Sequence, residues 1–451
     1  MIICQHVVDY QPSIAGFFID SEVFADHDSN AVISGRHYIC VHTREPLLFA
    51  IRASVNNPPD LLYLGFTFPP GVAALHPAVN SFSHAHHARM VHELERDLHV
   101  HSVNLLPFLA ESPPHADPAS GLDSQLTLTE GKPELFHQLQ SIWRLRRFYQ
   151  NTYTQTGYPK AVFVYNLTPV YNHFVRWLSA QPNRPKIILH LEDSPQLGGR
   201  VRGFKRFRYR FKPLYYPDDD MLRFFDGCVG LSQGAESHFQ RRGIPYLWLP
   251  GASDPFEIDP SAHEFDSPSS SAPIRFGYFG SLSPYAGVQI LTESFMASQS
   301  TGTLDICGYG KQADELARVV QSDSRIRFRG LLKTPADCLR FGAECDVLVN
   351  PRPASHGNEN NFPSKAFQYA SCGRAILTTR LGGVESVFGN SAYHLETANL
   401  ADSLKSELER LAEVPRPEHR KRGQALRQRV IDEYTYERWG EKVSAFIRSL
   451  I

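Results

Sequence analysis

At 451 residues the chain exceeds one ordinary domain, so two domains are expected. A composition of 42% hydrophobic and 21% charged residues can fill two cores, and a net charge of −1 excludes the overall basic field of a nucleic-acid binder. The seven cysteines are scattered without a close pair, Met1–Tyr10 lacks the basic start and apolar core of a signal peptide, and no run approaches the ~18 apolar residues of a membrane span. These features predict a cytoplasmic protein, free to lie peripherally on the inner face of the membrane.

Residues 1–57 hold alternating runs such as Arg36–His42 and read as a small β extension of unassigned role. Apolar runs then alternate with helical patterns. Strands are expected at Leu61–Phe66, His101–Pro107, Ala161–Tyr165, Lys186–Leu191, Gly227–Leu231 and Tyr246–Leu249. This is the pattern of parallel sheets wound with helices on both faces, an α/β class. Residues 58–258 form the first such unit. The Ser/Pro-rich, non-periodic stretch Asp259–Pro273 reads as the linker.

Within the first unit, His84, His86, His87 and His92 fall on one probable helix, with His99 and His101 beyond it. They lack a second cluster at ligand spacing, so a polar helix face near the cleft is expected and no metal. The run KIILHLEDSP is an apolar strand ending in Glu192 and Asp193. Carboxylates at a strand's carboxyl end suit binding or deprotonation of an acceptor hydroxyl; capping and solvated carboxylates are the alternative. Next, Arg200, Arg202, Lys205, Arg206, Arg208, Arg210 and Lys212 are interleaved with Phe204, Phe207, Tyr209 and Phe211. This segment fits anionic lipid headgroups or a lipid-diphosphate acceptor. It equally fits a helix with solvated basic residues and a buried aromatic stripe.

Residues 274–430 form the second unit, with strands at Arg275–Gly280, Thr303–Gly308, Ile326–Gly330, Asp346–Asn350 and Ala375–Thr378. Ligands of such sheets sit at the carboxyl ends of the strands. Three loops fall there: GYFGSLS with Gly280 and Ser281, then Gly308-Tyr309-Gly310, then the polar segment Asn350–Lys365. In the last, a helix begins at Lys365 of FPSK and ends at Gly373, so backbone N–H groups, the helix dipole and one ammonium converge on an anion. A phosphate-bearing ligand is expected at Ser364 and Lys365.

The order NPR, polar loop, FPSK, helix, Gly, apolar strand over Asn350–Thr379 resembles the donor module of glycosyltransferase family 4 and its bacterial exopolysaccharide relatives. The resemblance implies the GT-B fold, two Rossmann-like domains facing across a cleft, with a final helix, residues 431–451, crossing back to the first. It implies a nucleoside-diphosphate-sugar donor as substrate, no cofactor and no metal. It implies a retaining transfer to a glycan, lipid-linked or protein acceptor in exopolysaccharide or cell-surface assembly. An acidic pair at Glu192-Asp193 and a base-bordering loop at Gly308–Gly310 also accord with it.

The chain departs from that pattern. Ser281 and Ala286 stand where relatives carry Arg and Lys, and Asn360 and Gln368 stand where they carry glutamates. Lys365 and Arg352 are then left to hold the diphosphate, Gln368 the ribose, and Asn360 or Glu359 the sugar hydroxyls. These departures keep a rival open, a non-catalytic GT-B-like binding protein. An epimerase or phosphorylase on the same fold is a second rival.

Overall fold

The structure is a computed structural model. It describes residues 22–25, 31–34, 38–40, 48–51, 58–65, 81–105, 134–192, 218–253, 272–332, 334–355, 358–359 and 361–451. Asp193, Asn360, the basic-aromatic segment 200–212 and most of the expected linker therefore lie outside the described residues.

Strands β1 (Glu22–Ala25) and β2 (Ala31–Ser34) form an antiparallel pair. The first large sheet takes β3 (Tyr38–Cys40), β4 (Leu48–Ile51), β5 (Leu61–Gly65), β6 (Val100–Leu105), β7 (Ala161–Tyr165), β8 (Lys186–Leu191), β9 (Gly227–Gly230) and β10 (Tyr246–Trp248). Their order is β10-β9-β8-β7-β5-β6-β4-β3. The six strands from β10 to β6 are parallel, and β4 and β3 add an antiparallel edge. Helices α1 (Ser81–Glu95), α2 (Glu134–Thr156) and α3 (Pro169–Leu178) lie between these strands in the chain.

Side chains alternate across each strand, and so each strand feeds two cores. Leu62, Leu64, Val162, Val164 and Leu189 pack with Leu145 and Tyr149 of α2 and Phe174 of α3. The odd-numbered Leu61, Tyr63, Ala161 and Phe163 pack on the other face with Met90 and Leu94 of α1.

The second sheet takes β11 (Arg275–Ser281), β12 (Thr303–Tyr309), β13 (Ile326–Phe328), β14 (Val347–Asn350), β15 (Ala375–Thr379) and β16 (Tyr393–Leu395). All its pairings are parallel, in the order β13-β12-β11-β14-β15-β16. This is the doubly wound order, with the direction of winding reversing between β11 and β14. One face packs on α4 (Val288–Met296) and α8 (Leu400–Ala412); the other packs on α6 (Pro335–Glu344), α7 (Lys365–Ser371) and α9 (Arg416–Glu433). A further helix of this half, α5 (Ala313–Val319), follows β12.

The last helix, α10 (Tyr436–Leu450), leaves the second sheet and packs on the first. Its Trp439, Val443 and Ile447 share a core with Leu61, Phe163 and Met90. The segment before it touches both halves: Tyr434 lies 5.2 Å from Phe367 of α7 between ring centroids, and its carbonyl accepts from Ser253 N–H. The Ser253 and Ser371 hydroxyls meet at 3.0 Å, and the Ser386 hydroxyl reaches Gln233. No described helix is long and apolar enough to cross a membrane.

Candidate active site

The reversal point of the second sheet opens between the loops that follow β11 and β14. Tyr278 and Gly280 share one face of β11 because they are two residues apart. Lys365, at the start of α7, reaches that face. Its Nζ donates to the Tyr278 hydroxyl at 2.8 Å and lies 4.5 Å from the ring centre. The Tyr278 hydroxyl in turn donates to the Ser281 carbonyl at 2.6 Å, so it can only accept from the lysine. A Cβ on Gly280 would stand 2.4 Å from Lys365 Nζ, and its φ of +140° is strained for any side chain. Glycine there is what lets the ammonium reach the strand end.

Lys365 is partly buried. Burial, reinforced by the Arg352 charge, pushes its pKa down to about 7. Among the described residues this ammonium has no anionic partner, and it gains from one that arrives.

The other expected donor residues fall as follows. Gly308 pairs with Gly280 and Tyr309 with Ser281 across β11 and β12. Gly308 packs on the Gly280 carbonyl and Gly310 on that of Leu282; Tyr309 is exposed. Ser281 and Ser364 are exposed, and the Ser364 hydroxyl makes no capping bond. The first turn of α7 is tight: Ala366 N–H bonds Pro363 O and Phe367 N–H bonds Ser364 O. Those two N–H groups are therefore taken, which leaves fewer free N–H groups at this helix start than expected. The anion preference rests on Lys365.

Arg352, expected to hold the diphosphate, is also tied into its own loop. Its guanidinium bonds Asn358 Oδ1 at 2.5 Å and the Asn361 carbonyl at 3.3 Å. Asn358 is 1% exposed and donates to the Tyr285 and Pro353 carbonyls. Arg352 thus braces the loop and acts on the site through its charge. Glu359 and Gln368 are exposed, and Ala286 is buried. Tyr369, which sequence reasoning missed, ties α7 to β11: its hydroxyl accepts from Phe279 N–H at 3.1 Å and donates to Phe279 O at 2.8 Å.

In the first domain, Glu192 ends β8 beside a group of histidines and tyrosines. His86 Nε2 lies 3.0 Å from Glu192 Oε1, and the Tyr165 hydroxyl donates to Oε2 at 3.3 Å. Glu192 N–H bonds Asn166 Oδ1 at 2.8 Å. Burial works to raise the Glu192 pKa, but the His86 bond and the nearby His190 and His87 rings outweigh it and hold the carboxyl well below the usual range. The ionised form is therefore the resident one, and so weak a base takes an acceptor proton poorly. Glu192 is better placed to orient its neighbours.

The expected histidine helix is α1, but its members part company. His86 and His87 meet Glu192, whereas His92 is exposed and His101 bonds Tyr153. His190, two residues before Glu192 on the same strand face, was missed although that spacing was readable. Burial pushes its pKa down to about 4, so it stays neutral. His87, His190 and Glu192 bring possible ligand atoms within 4.8 Å of one another, a donor set suited to zinc. Both Glu192 oxygens are already engaged by His86 and Tyr165.

Residues 273–413 match the family model Glycosyl transferases group 1. That segment is similar to a group 1 glycosyl transferase domain. No curated protein matches the sequence significantly. Among solved structures, the chain is similar to sucrose-phosphate synthase from Thermosynechococcus elongatus, at 14% identity and a TM-score of 0.60 over 88% of this chain and 99% of that one. It is similar to HepE of Anabaena in complex with UDP and glucose, at 14% identity and a TM-score of 0.55 over 87% of this chain and 100% of that one. A trehalose-phosphate synthase (UDP-forming) from Burkholderia vietnamiensis follows at 13% and 0.51, over 71% and 79%. At such identities the likeness is one of fold, and the fold is GT-B. The matched segment covers less than a third of the chain. The Lys365 site lies inside the matched segment, and the Glu192 group lies outside it.

Proposed function

We propose that the chain moves a sugar from a nucleoside-diphosphate donor, bound over the carboxyl ends of β11 and β14, to an acceptor hydroxyl on the first-domain side. The observation that carries this is Lys365, whose depressed pKa and contact with Tyr278 beside Gly280 make it an ammonium in want of an anion. A fixed cation there would lower the barrier by stabilising the negative charge that develops on the departing diphosphate. The donor base is uracil in this reading, supported by the UDP in the HepE complex and in the name of the trehalose-phosphate synthase. Retention of configuration and a role in exopolysaccharide or cell-surface assembly rest on the NPR…FPSK likeness. Binding to anionic membrane through Arg200–Lys212 rests on composition alone.

The test is nucleotide release from a panel of UDP-sugars and GDP-mannose, with and without added sugar acceptors. One donor is expected to release its nucleotide, faster with acceptor present. Binding of UDP with no release from any donor would instead make the chain a binding protein. The replacement of the relatives' Arg and Lys by Ser281 and Ala286 makes that the outcome to exclude.

A further inference from the structure

Three metal-ligating side chains converge in the first domain. His190 on β8 and Glu192 just past its end are two residues apart and so share one face of the strand. Helix α1, packed on that face through Met90 and Leu94, brings His87 to the same place. His190 Nε2 lies 3.4 Å from Glu192 Oε1, and His87 Nε2 lies 3.9 Å from Oε2. One ligand atom from each of the three residues falls within 4.8 Å of the others. Both imidazoles are buried, and the Glu192 side chain keeps 13% of its exposure.

His190 is the member most in need of a ligand. Its ring stacks on Phe163 at 5.1 Å and lies 5.7 Å from Trp439, so packing fixes its orientation. Among the described residues neither of its nitrogens makes a hydrogen bond, and Nε2 is the one turned to Glu192. A buried ring nitrogen left so is costly in a folded protein and gains from any partner. The other two groups are held from behind. The Tyr63 hydroxyl lies 2.6 Å from His87 Nδ1, on the far side of the ring from the nitrogen that faces Glu192. His86 Nε2 lies 3.0 Å from Glu192 Oε1, and the Tyr165 hydroxyl donates to Oε2 at 3.3 Å. A carboxylate offers about four lone-pair sites over its two oxygens, so each oxygen keeps one for a cation. Bonds of this kind, one shell out, are what orient the ligands of a metal.

We propose that His87, His190 and Glu192 form a zinc site, with Nε2 of each imidazole and one carboxylate oxygen as ligands. Tetrahedral zinc with bonds of about 2.1 Å sets its ligand atoms about 3.4 Å apart, so the observed separations close with small side-chain shifts. Two nitrogens and one oxygen suit zinc better than magnesium or calcium, which take oxygen ligands. Three protein ligands leave the fourth position to water or another oxygen donor. The partly exposed edge of Glu192 is the way in. The histidines of α1 lack a second cluster along the sequence, and the fold supplies one from the end of β8. The site does not rest on the glycosyl-transfer reading, and Lys365 is no part of it.

Zinc titration of the full chain, stripped beforehand with a chelator, tests this. Calorimetry with zinc sulfate should show a single zinc bound per chain, and excess magnesium should not displace it. The X-ray absorption spectrum of the zinc-loaded chain should show nitrogen and oxygen ligands at about 2.0–2.1 Å and no sulfur shell at about 2.3 Å. His190→Gln and Glu192→Gln should each weaken zinc binding by more than the ~10–100-fold typical of a lost outer partner. Tyr63→Phe removes only the hydroxyl beside His87 and should cost that ~10–100-fold, a readout that stands even if the ligand variants fail to fold. A wild-type chain that binds no zinc would overturn the site. So would a sulfur shell, which places the ion on cysteines, or wild-type affinity in folded Glu192→Gln, which places it on other histidines.

Discussion

Lys365→Met should weaken UDP binding at least tenfold and, at pH 7, raise the melting temperature. The loss follows from removing a charge-assisted contact of about 1.5–3 kcal/mol to the diphosphate. The gain follows from linkage. The Lys365 pKa is pushed down from 10.5 to about 7 in the folded chain. Between those values the unfolded chain binds more protons, so stability rises as pH climbs from about 7 towards 10.5. At pH 7 and below, the folded protein bears most of the cost of burying the ammonium, and methionine removes it. Binding should show the opposite trend. A diphosphate favours the ammonium, so complex formation takes up a proton above pH 7 and affinity falls as pH rises from 7 to 9. That slope should vanish in Lys365→Met. Calorimetry in two buffers of different ionisation enthalpy measures it. A variant that melts lower yet binds UDP as well as the wild type would make Lys365 a structural residue.

Asp346→Ala should lower stability by about 3–5 kcal/mol, or about 10 °C in melting temperature. Asp346 and Arg416 are each 8% exposed and joined at 3.1 Å. Asp346 Oδ2 also accepts from Arg275 N–H at 2.8 Å at the start of β11, and Arg416 donates to the Pro273 carbonyl. One buried pair thus ties the entry to the second domain to the first turn of α9. Removing the carboxylate strands a buried guanidinium, which costs far more than losing both partners. Asp346→Ala with Arg416→Met should accordingly recover much of the loss. Differential scanning calorimetry of the single and double variants checks this. Equal melting points for the wild type and Asp346→Ala would place the pair at the surface.

The fold was legible because its strands are short apolar runs between turn signals. The expected Ala161–Tyr165 and Lys186–Leu191 coincide with β7 and β8, and the other expected strands overlap theirs within a few residues. β16 escaped notice because three residues, Tyr393–Leu395, carry no period. The helix beginning at Lys365 was readable from FPSK and Gly373. Its partner Tyr278 was not, since nothing local says which tyrosine lies under an ammonium 87 residues away. Glu192 was readable as a carboxylate at a strand end, but its role was not. Its surroundings depend on His86, which bonds it, and on Tyr436, which bonds His86 from 350 residues further along the chain. Arg352 reads as a phosphate ligand by its place in the motif, and only the fold of the loop shows that it also bonds Asn358 and Asn361.

The most direct test of the account is a crystal structure of the chain with UDP bound. A diphosphate oxygen should lie within about 3 Å of Lys365 Nζ, over the carboxyl ends of β11 and β14. A diphosphate seated away from Lys365, with the Lys365–Tyr278 bond intact, would contradict it.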